Sequence, residues 1–304
     1  MFFHTRFSQQ ALELGFIAAG FCRSGQPPFL TEYNRWVDAK KYGEMHWLGR
    51  RRNLKTDPAN VLEDCLTVIS LAYPYPTGKP GTPDGFTAAR YTRPESPDYH
   101  ETIKERAKPL VALISEEYPG ERSRICVDSA PLLERSFAYA SGIGFIGKNN
   151  MLIRPGHGSY LFLAEVLTTA IFPITAQKPL ANMCGTCSRC VDACPTNALE
   201  RPFLMDAGKC LSYLTIEKKG PIDVEMGKAM GDCFFGCDRC QEVCPFNRGM
   251  DERVECLPSS KTFLDMDRTT FDRRFGETAF ARAGLDKIKS NIRAIRRCAG
   301  SQRP

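Results

Sequence analysis

Residues 184–195 read CGTCSRCVDACP, residues 236–245 read GCDRCQEVCP, and Cys210 lies between these two arms. In the first arm three cysteines are separated by pairs of residues, and a fourth follows three residues later, just before a proline. That spacing lets three thiolates wrap one iron–sulfur cubane while the fourth, turned away by the proline, reaches a neighbouring one. Two arms of this kind predict two [4Fe–4S] clusters close together. The expected ligands are Cys184, Cys187, Cys190 and Cys244 for one cluster, and Cys194, Cys210, Cys237 and Cys240 for the other.

The doubled motif is that of a two-cluster ferredoxin. Cys233, in CFFGC over 233–237, is an alternative to Cys210, and Cys210 is preferred. A zinc ribbon needs CxxC pairs separated by a longer loop, whereas each arm here crowds too many thiols for one tetrahedral ion. Disulfides are a weaker alternative.

The chain has 304 residues, 42% of them hydrophobic, enough for two domains with substantial cores. The apolar N-terminus lacks the basic-then-apolar order of an export signal, and no stretch approaches a membrane span. Fourteen cysteines without such a signal point to a reducing compartment, so a cytoplasmic location without membrane contact is expected. Net charge is +6, of which residues 268–304 carry +7 and the remainder −1. The basic excess is either a solvated helix face or a phosphate-contacting surface.

In chain order, residues 5–19 have a loose helical pattern ending at Gly20, and Phe29 to Val37 continues in the same way. The basic segment RRRNLKTDP over 50–58 leads to CLTVISLAYPYP over 65–76, which reads as a buried strand ended by prolines. Residues 76–98, rich in Pro, Gly and Asp, form a loop long enough to be functional. Ile103 to Tyr118 has helical spacing, and ICVD over 125–128 is a short strand running into a turn. Asp128, at that strand's end, is placed equally for ligand contact or for capping the helix expected over 132–141. SGIGFIGK over 141–148 follows a helix and lacks GK[ST], so it fits neither a dinucleotide fingerprint nor a P-loop. Its glycines could still admit a large flat ligand. In the next strand, period-two alternation puts Leu161, Leu163 and Glu165 on one face and Tyr160, Phe162 and Ala164 on the other. An α/β domain thus precedes the cysteines. The last helix places Leu285, Ile288, Ile292 and Ile295 on one stripe.

Five blocks together closely resemble epoxyqueuosine reductase: VDSAPLLER over 127–135, SGIGFIGKN over 141–149, GSYLFLAE over 158–165, CLSYLTIE over 210–217 and GCDRCQEVCPFN over 236–247. The resemblance covers roughly residues 10–250 and is specific, since a plain ferredoxin has no reason to carry CLSYLTIE. It implies a cobalamin-dependent oxidoreductase that reduces epoxyqueuosine to queuosine at the wobble position of tRNA, the last step of queuosine biosynthesis. It implies Asp128 as proton donor and corrin contacts from Lys55, Tyr91, Asp128, Leu152, Leu163, Ser212, Cys237 and Asp238. It also favours Cys210 over Cys233 as a ligand. Lys55 stands where the family usually has arginine, and the loop after Tyr91 is about two residues longer than the family form.

The expected architecture is mixed α/β: a cobalamin-binding catalytic domain over 1–175, a ferredoxin-like domain over 176–250, and a linker with a basic helical tail over 251–304. Longer members of the family continue into a helical-repeat domain that helps to grip tRNA, of which one helix is expected here. The chain is expected to act as a monomer with a separate low-potential electron donor. A corrinoid reductive dehalogenase is the nearest rival and usually carries a twin-arginine signal, which is not seen. A plain electron-transfer protein would bind clusters without cobalamin.

Overall fold

A computed structural model describes the chain except residues 1–2, 77, 174–177, 248, 250–252 and 301–304. The chain divides into two compact units. The first comprises Met1–Lys40, His46–Tyr75 and His100–Cys187, and the second Lys41–Met45, Pro76–Tyr99 and Ser188–Pro304. The boundaries expected at 175/176 and 250/251 fall outside the described residues, and residues 188–304 form part of a single unit.

The first unit contains α1 (Phe3–Glu13), β1 (Ala18–Arg23), α2 (Leu30–Asp38), α3 (Trp47–Arg50), β2 (Thr67–Pro74), α4 (Tyr99–Glu117), β5 (Ser123–Cys126), α5 (Glu134–Ala140), the hairpin β6 (Phe145–Ile146) and β7 (Leu152–Ile153), and β8 (Leu161–Thr168). Its four-stranded sheet has the order β1-β2-β8-β5, and every pairing is antiparallel. The alternation expected for β8 holds: Ala164 and Val166 face one side, Glu165 and Leu167 the other. On the Glu165 side α5 packs on β1, β2 and β8, and Phe137 joins Val68, Cys126 and Leu167 in one apolar cluster. On the other side Phe21 meets Phe7 of α1, with ring centroids 5.3 Å apart, and Phe172 closes over both Phe21 and Tyr118.

The first strand is absent from the helical reading of residues 5–19. The helix stops at Glu13, and Gly15 takes a left-handed φ of +89°, which glycine adopts without a Cβ clash. Gly20 lies inside β1 and terminates nothing. A Cβ there would sit 2.3 Å from the Ser141 carbonyl oxygen, so its missing side chain lets the end of α5 approach the sheet.

The second unit contains β3 (Lys79–Gly81), β4 (Thr87–Ala88), α6 (Arg189–Asp192), the hairpin β9 (Leu199–Arg201) and β10 (Leu204–Met205), α7 (Leu211–Ile216), α8 (Val224–Met230), β11 (Cys233–Phe235), α9 (Arg239–Glu242), β12 (Arg253–Glu255), α10 (Ser260–Asp265), α11 (Arg268–Phe275) and α12 (Gly284–Gly300). The segment expected as a long loop supplies β3 and β4, the inner strands of a mixed sheet ordered β11-β4-β3-β12. Its centre is aromatic: Phe234, Phe235, Phe263, Phe275 and Phe280 are buried together with Leu285, Ile288 and Ile292.

The last helix is therefore a core element and not an appended tail. Its apolar stripe packs against α7, α8, α10 and β11, and the Asn291 amide donates to the carbonyls of Thr215 (2.8 Å) and Phe234 (2.9 Å). Arg296 is also engaged within this unit, with Ser260 and with Asp84 at 3.6 Å. Arg293 and Arg297 remain exposed. Ile292→Ala should destabilise this unit by about 2–5 kcal/mol, as expected for truncating a fully buried aliphatic chain. Denaturant unfolding checks this, and a change within error of zero would show that the helix contributes little to the core.

Candidate active site

Asp128 follows β5 in a turn that holds it at φ +51°, a left-handed conformation uncommon for a residue with a side chain. Because the sheet is antiparallel, the ligand crevice of parallel α/β sheets does not account for this position. Specific contacts do. The main-chain N–H of Asp128 donates to Glu134 Oε1 at 2.5 Å, and its Oδ2 lies 3.1 Å from His100 Nε2. The Asp128 side chain is 47% exposed. Capping of α5 is not its role, since the N-cap is Leu133 with no side-chain bond.

Glu134 opens α5 and connects Asp128 to the sheet. Crowding by protein atoms pushes its carboxyl up to about 8, with the negative charge of Asp128 adding to the effect. Glu165, fully buried on β8, is raised well above the carboxylate range by burial and then by Glu134. Lys55, in a 3-10 turn over Asn53–Thr56, is buried and donates to the Leu132 carbonyl at 3.3 Å. Burial lowers its pKa, while the charges of Glu134 and Asp128 work in the opposite direction. Three of the residues that the resemblance implies or quotes, Lys55, Asp128 and Glu134, thus form one charged group with His100. Glu165 ends the quoted block GSYLFLAE, whereas His100 lies in none of the five blocks. A charged residue at an inward position of an apolar strand was the signal available for Glu165.

Leu152 and Leu163 belong to the same unit. Leu163 is half-buried and packs against the cluster that contains the buried Leu152. The glycines at 144 and 147 serve the hairpin itself, since a Cβ on either would lie 2.5 Å from an atom of Ile153. Lys148 donates to the carbonyls of Gly185 (2.7 Å) and Cys187 (2.8 Å), and Asn182 Oδ1 accepts the Cys184 N–H at 3.0 Å. The glycine-rich segment therefore anchors the first part of the first cysteine arm.

In the second unit α6 and α9, which lie within the two arms, pack on each other. Cys210 caps α7; burial raises its thiol, the N–H groups of Ser212 and Tyr213 oppose this, and Cys194 adds a further raising influence. Cys240 is raised well above the thiol range by burial and then by Cys237, Cys210 and Cys190. Cys194 thus lies within electrostatic reach of Cys210, and Cys237, Cys210 and Cys190 within reach of Cys240, so members of both expected ligand sets gather in this unit. Crowded, desolvated thiolates repel each other, and cluster iron supplies the positive charge that stabilises them. The donor set therefore fits iron–sulfur ligation. Cys233, the alternative ligand, is buried in β11 with its Sγ 3.5 Å from the carbonyls of Phe235 and Gly236; burial pushes its thiol up to about 12, with Cys237 among the lesser influences.

Tyr91 is half-buried, edge-on to Tyr99 at 6.0 Å, and Ser212 lies half-buried on α7. Asp238 is buried and accepts the Arg90 N–H at 2.7 Å; burial raises it to about 6. Within each unit, taken separately, these side chains have the chemistry to meet apolar ring surface or amide groups. Leu163 and Tyr91 offer apolar surface, Ser212 offers a hydroxyl, and Leu152, at 3% exposure, can offer only its main chain.

Comparisons with known proteins bear on the whole chain. Residues 183–247 match the family model for a 4Fe-4S double cluster binding domain, and residues 55–129 match "Epoxyqueuosine reductase QueG, DUF1730". The chain is 35% identical over 297 residues to the epoxyqueuosine reductase of Leadbetterella byssophila, covering 94% of this chain and 96% of that one. It is 37% identical over 303 residues to that of Vibrio cholerae, covering 95% and 81%. Among solved structures, the epoxyqueuosine reductase of Streptococcus thermophilus matches with a TM-score of 0.83 at 29% identity, covering 96% of this chain and 80% of that one. An epoxyqueuosine reductase crystallised with an epoxyqueuosine-modified tRNA-Tyr stem loop matches with a TM-score of 0.80 at 27% identity, covering 97% and 81%. The chain, two-cluster domain included, belongs to the epoxyqueuosine reductase family.

Proposed function

We propose that this chain reduces epoxyqueuosine to queuosine in tRNA, the last step of queuosine biosynthesis, with Asp128 as the proton donor. Family membership over nearly the whole chain supports the reaction, and the stem-loop complex of a relative supports tRNA as its substrate. The observation that carries the residue assignment is the holding of Asp128 between Glu134 and His100, with its carboxyl half-exposed.

The net reaction opens both C–O bonds of the epoxide, forms the alkene and releases the oxygen as water, consuming two electrons and two protons. Cys184, Cys187, Cys190 and Cys244 would hold one cluster, and Cys194, Cys210, Cys237 and Cys240 the other. Cobalamin, when bound, supplies a reduced cobalt able to deliver electron density to carbon. Lys55, Tyr91, Asp128, Leu152, Leu163, Ser212, Cys237 and Asp238 would contact it. Asp128 donates a proton to the departing oxygen, and the His100 imidazole, in contact with its carboxyl, can replace that proton. Electrons come from a separate low-potential donor to a monomeric enzyme. The described residues include no helix long and apolar enough to cross a membrane.

Asp128→Asn keeps the size of the side chain but removes its carboxyl proton. With both clusters and cobalamin retained, turnover should fall by about 10²–10⁴, the range for a lost general acid. Near-normal queuosine formation in an anaerobic assay, per bound cobalamin, would end the catalytic assignment. Iron analysis tests the ligand sets. Cys210→Ala should lose or degrade one cluster and Cys233→Ala should keep the full iron content, whereas the reverse pattern would exchange their roles.

A further inference from the structure

The chemistry above uses Asp128 and His100 but not the two carboxyls beneath them. Glu165 is fully buried, and neither of its oxygens makes a hydrogen bond of full geometry. Its cross-strand neighbours are Ser70 on β2 and Cys126 on β5, and the Ser70 hydroxyl and Glu134 carboxyl both face it. Two ionised carboxylates present only lone pairs to each other, whereas one shared proton converts that repulsion into an O–H···O bond. Glu134 in turn accepts the Asp128 N–H and helps to hold a backbone conformation that persists only when its surroundings enforce it.

Other groups facing this pair have definite roles in its charge balance. Lys55, Arg135 and Asp128 face Glu134, and the Cys22 and Cys126 thiols lie near Glu165. Burial, followed in turn by other influences that include the Glu165 charge, pushes Cys22 to about 11 and Cys126 to about 12, so both thiols stay neutral near pH 7.

We propose that Glu134 is a positioning residue for Asp128 and that Glu134 and Glu165 hold one proton between them, leaving the pair a single negative charge offset by Lys55. This rests on the reading of Asp128 as proton donor. Loss of the shared proton puts a second negative charge beside Asp128, loosens its turn and lowers turnover.

The sign with pH follows from the raised proton affinity. The folded chain binds more protons here than the unfolded chain between the ordinary value of 4.5 and about 8. The contribution to stability is therefore complete below 4.5 and is lost as pH rises through about 8.

The test uses the cluster- and cobalamin-loaded enzyme with epoxyqueuosine-containing tRNA across pH. Glu134→Ala removes the acceptor for the Asp128 N–H and should lower turnover about 5- to 10-fold at neutral pH, the size of one lost hydrogen bond. Glu134→Gln should recover most of that loss, because its amide oxygen accepts the same N–H, and should abolish the decline above about pH 8. Glu165→Gln, in which the pair likewise cannot carry a second negative charge, should also abolish that decline. A merely structural pair would lower turnover equally at every pH, and an unmoved alkaline limb in both glutamine variants would overturn the proposal. Difference infrared spectroscopy without substrate gives an independent reading. In the difference between the parent enzyme and the Glu134→Gln/Glu165→Gln double variant near pH 7, where any contribution of Asp128 cancels, the C=O stretch of a protonated carboxyl should appear on the parent side. Absence of that band from the parent would refute the shared proton whatever Asp128 does, so the two readings fail separately.

Discussion

A carboxyl buried beneath a helix, away from water, favours its protonated form, and the site in the first unit is arranged around one such group. Glu165 is fully buried on β8, with Ser70 and Cys126 as its cross-strand neighbours and Glu134 facing it. Gly20 lets the end of α5 approach the sheet, and at the start of that helix Glu134 faces Glu165 and also receives the Asp128 N–H. Asp128 therefore takes its position from an interaction that begins in the core. A half-exposed aspartate on an unsupported turn would sample many orientations, whereas this one has its main chain bound on one side and its carboxyl bound by His100 on another.

The second unit is organised by thiols. Cys194 comes within electrostatic reach of Cys210, and Cys190, Cys210 and Cys237 within reach of Cys240, on α6, α7 and α9 and the turns beside them, helices that are short and have little stability of their own. Phenylalanines and the apolar stripe of α12 provide the framework. Cys233, the alternative to Cys210, has its thiol facing the main-chain carbonyls of Phe235 and Gly236.

The two cysteine arms were legible because cluster ligation constrains residues only three or four positions apart. Strands β2 and β8 were legible because they are buried and bounded by prolines or glycines. β1 was not, since its six residues, AAGFCR, carry little apolar periodicity and its glycine answers to a helix more than a hundred residues away. β3 and β4 were hidden in a proline- and glycine-rich segment because they are two or three residues long and pair with β11 and β12, far along the chain. The stripe Leu285, Ile288, Ile292 and Ile295 identified α12, but its place in a core depends on partners that the stripe does not specify. Within the site, Asp128, Glu134 and Glu165 all fall in blocks of the resemblance, but only Asp128 was given a role there; His100 acts through a contact between distant residues that no local pattern records.

The central claim is that the chain removes the epoxide oxygen from a modified tRNA nucleoside by delivering electrons and protons to it. The most direct test is nucleoside mass spectrometry of epoxyqueuosine-containing tRNA after anaerobic incubation with the cluster- and cobalamin-loaded protein and a low-potential reductant. The account predicts conversion to a nucleoside lighter by one oxygen atom, dependent on enzyme and reductant. Unchanged epoxyqueuosine with fully loaded, reduced enzyme would contradict it.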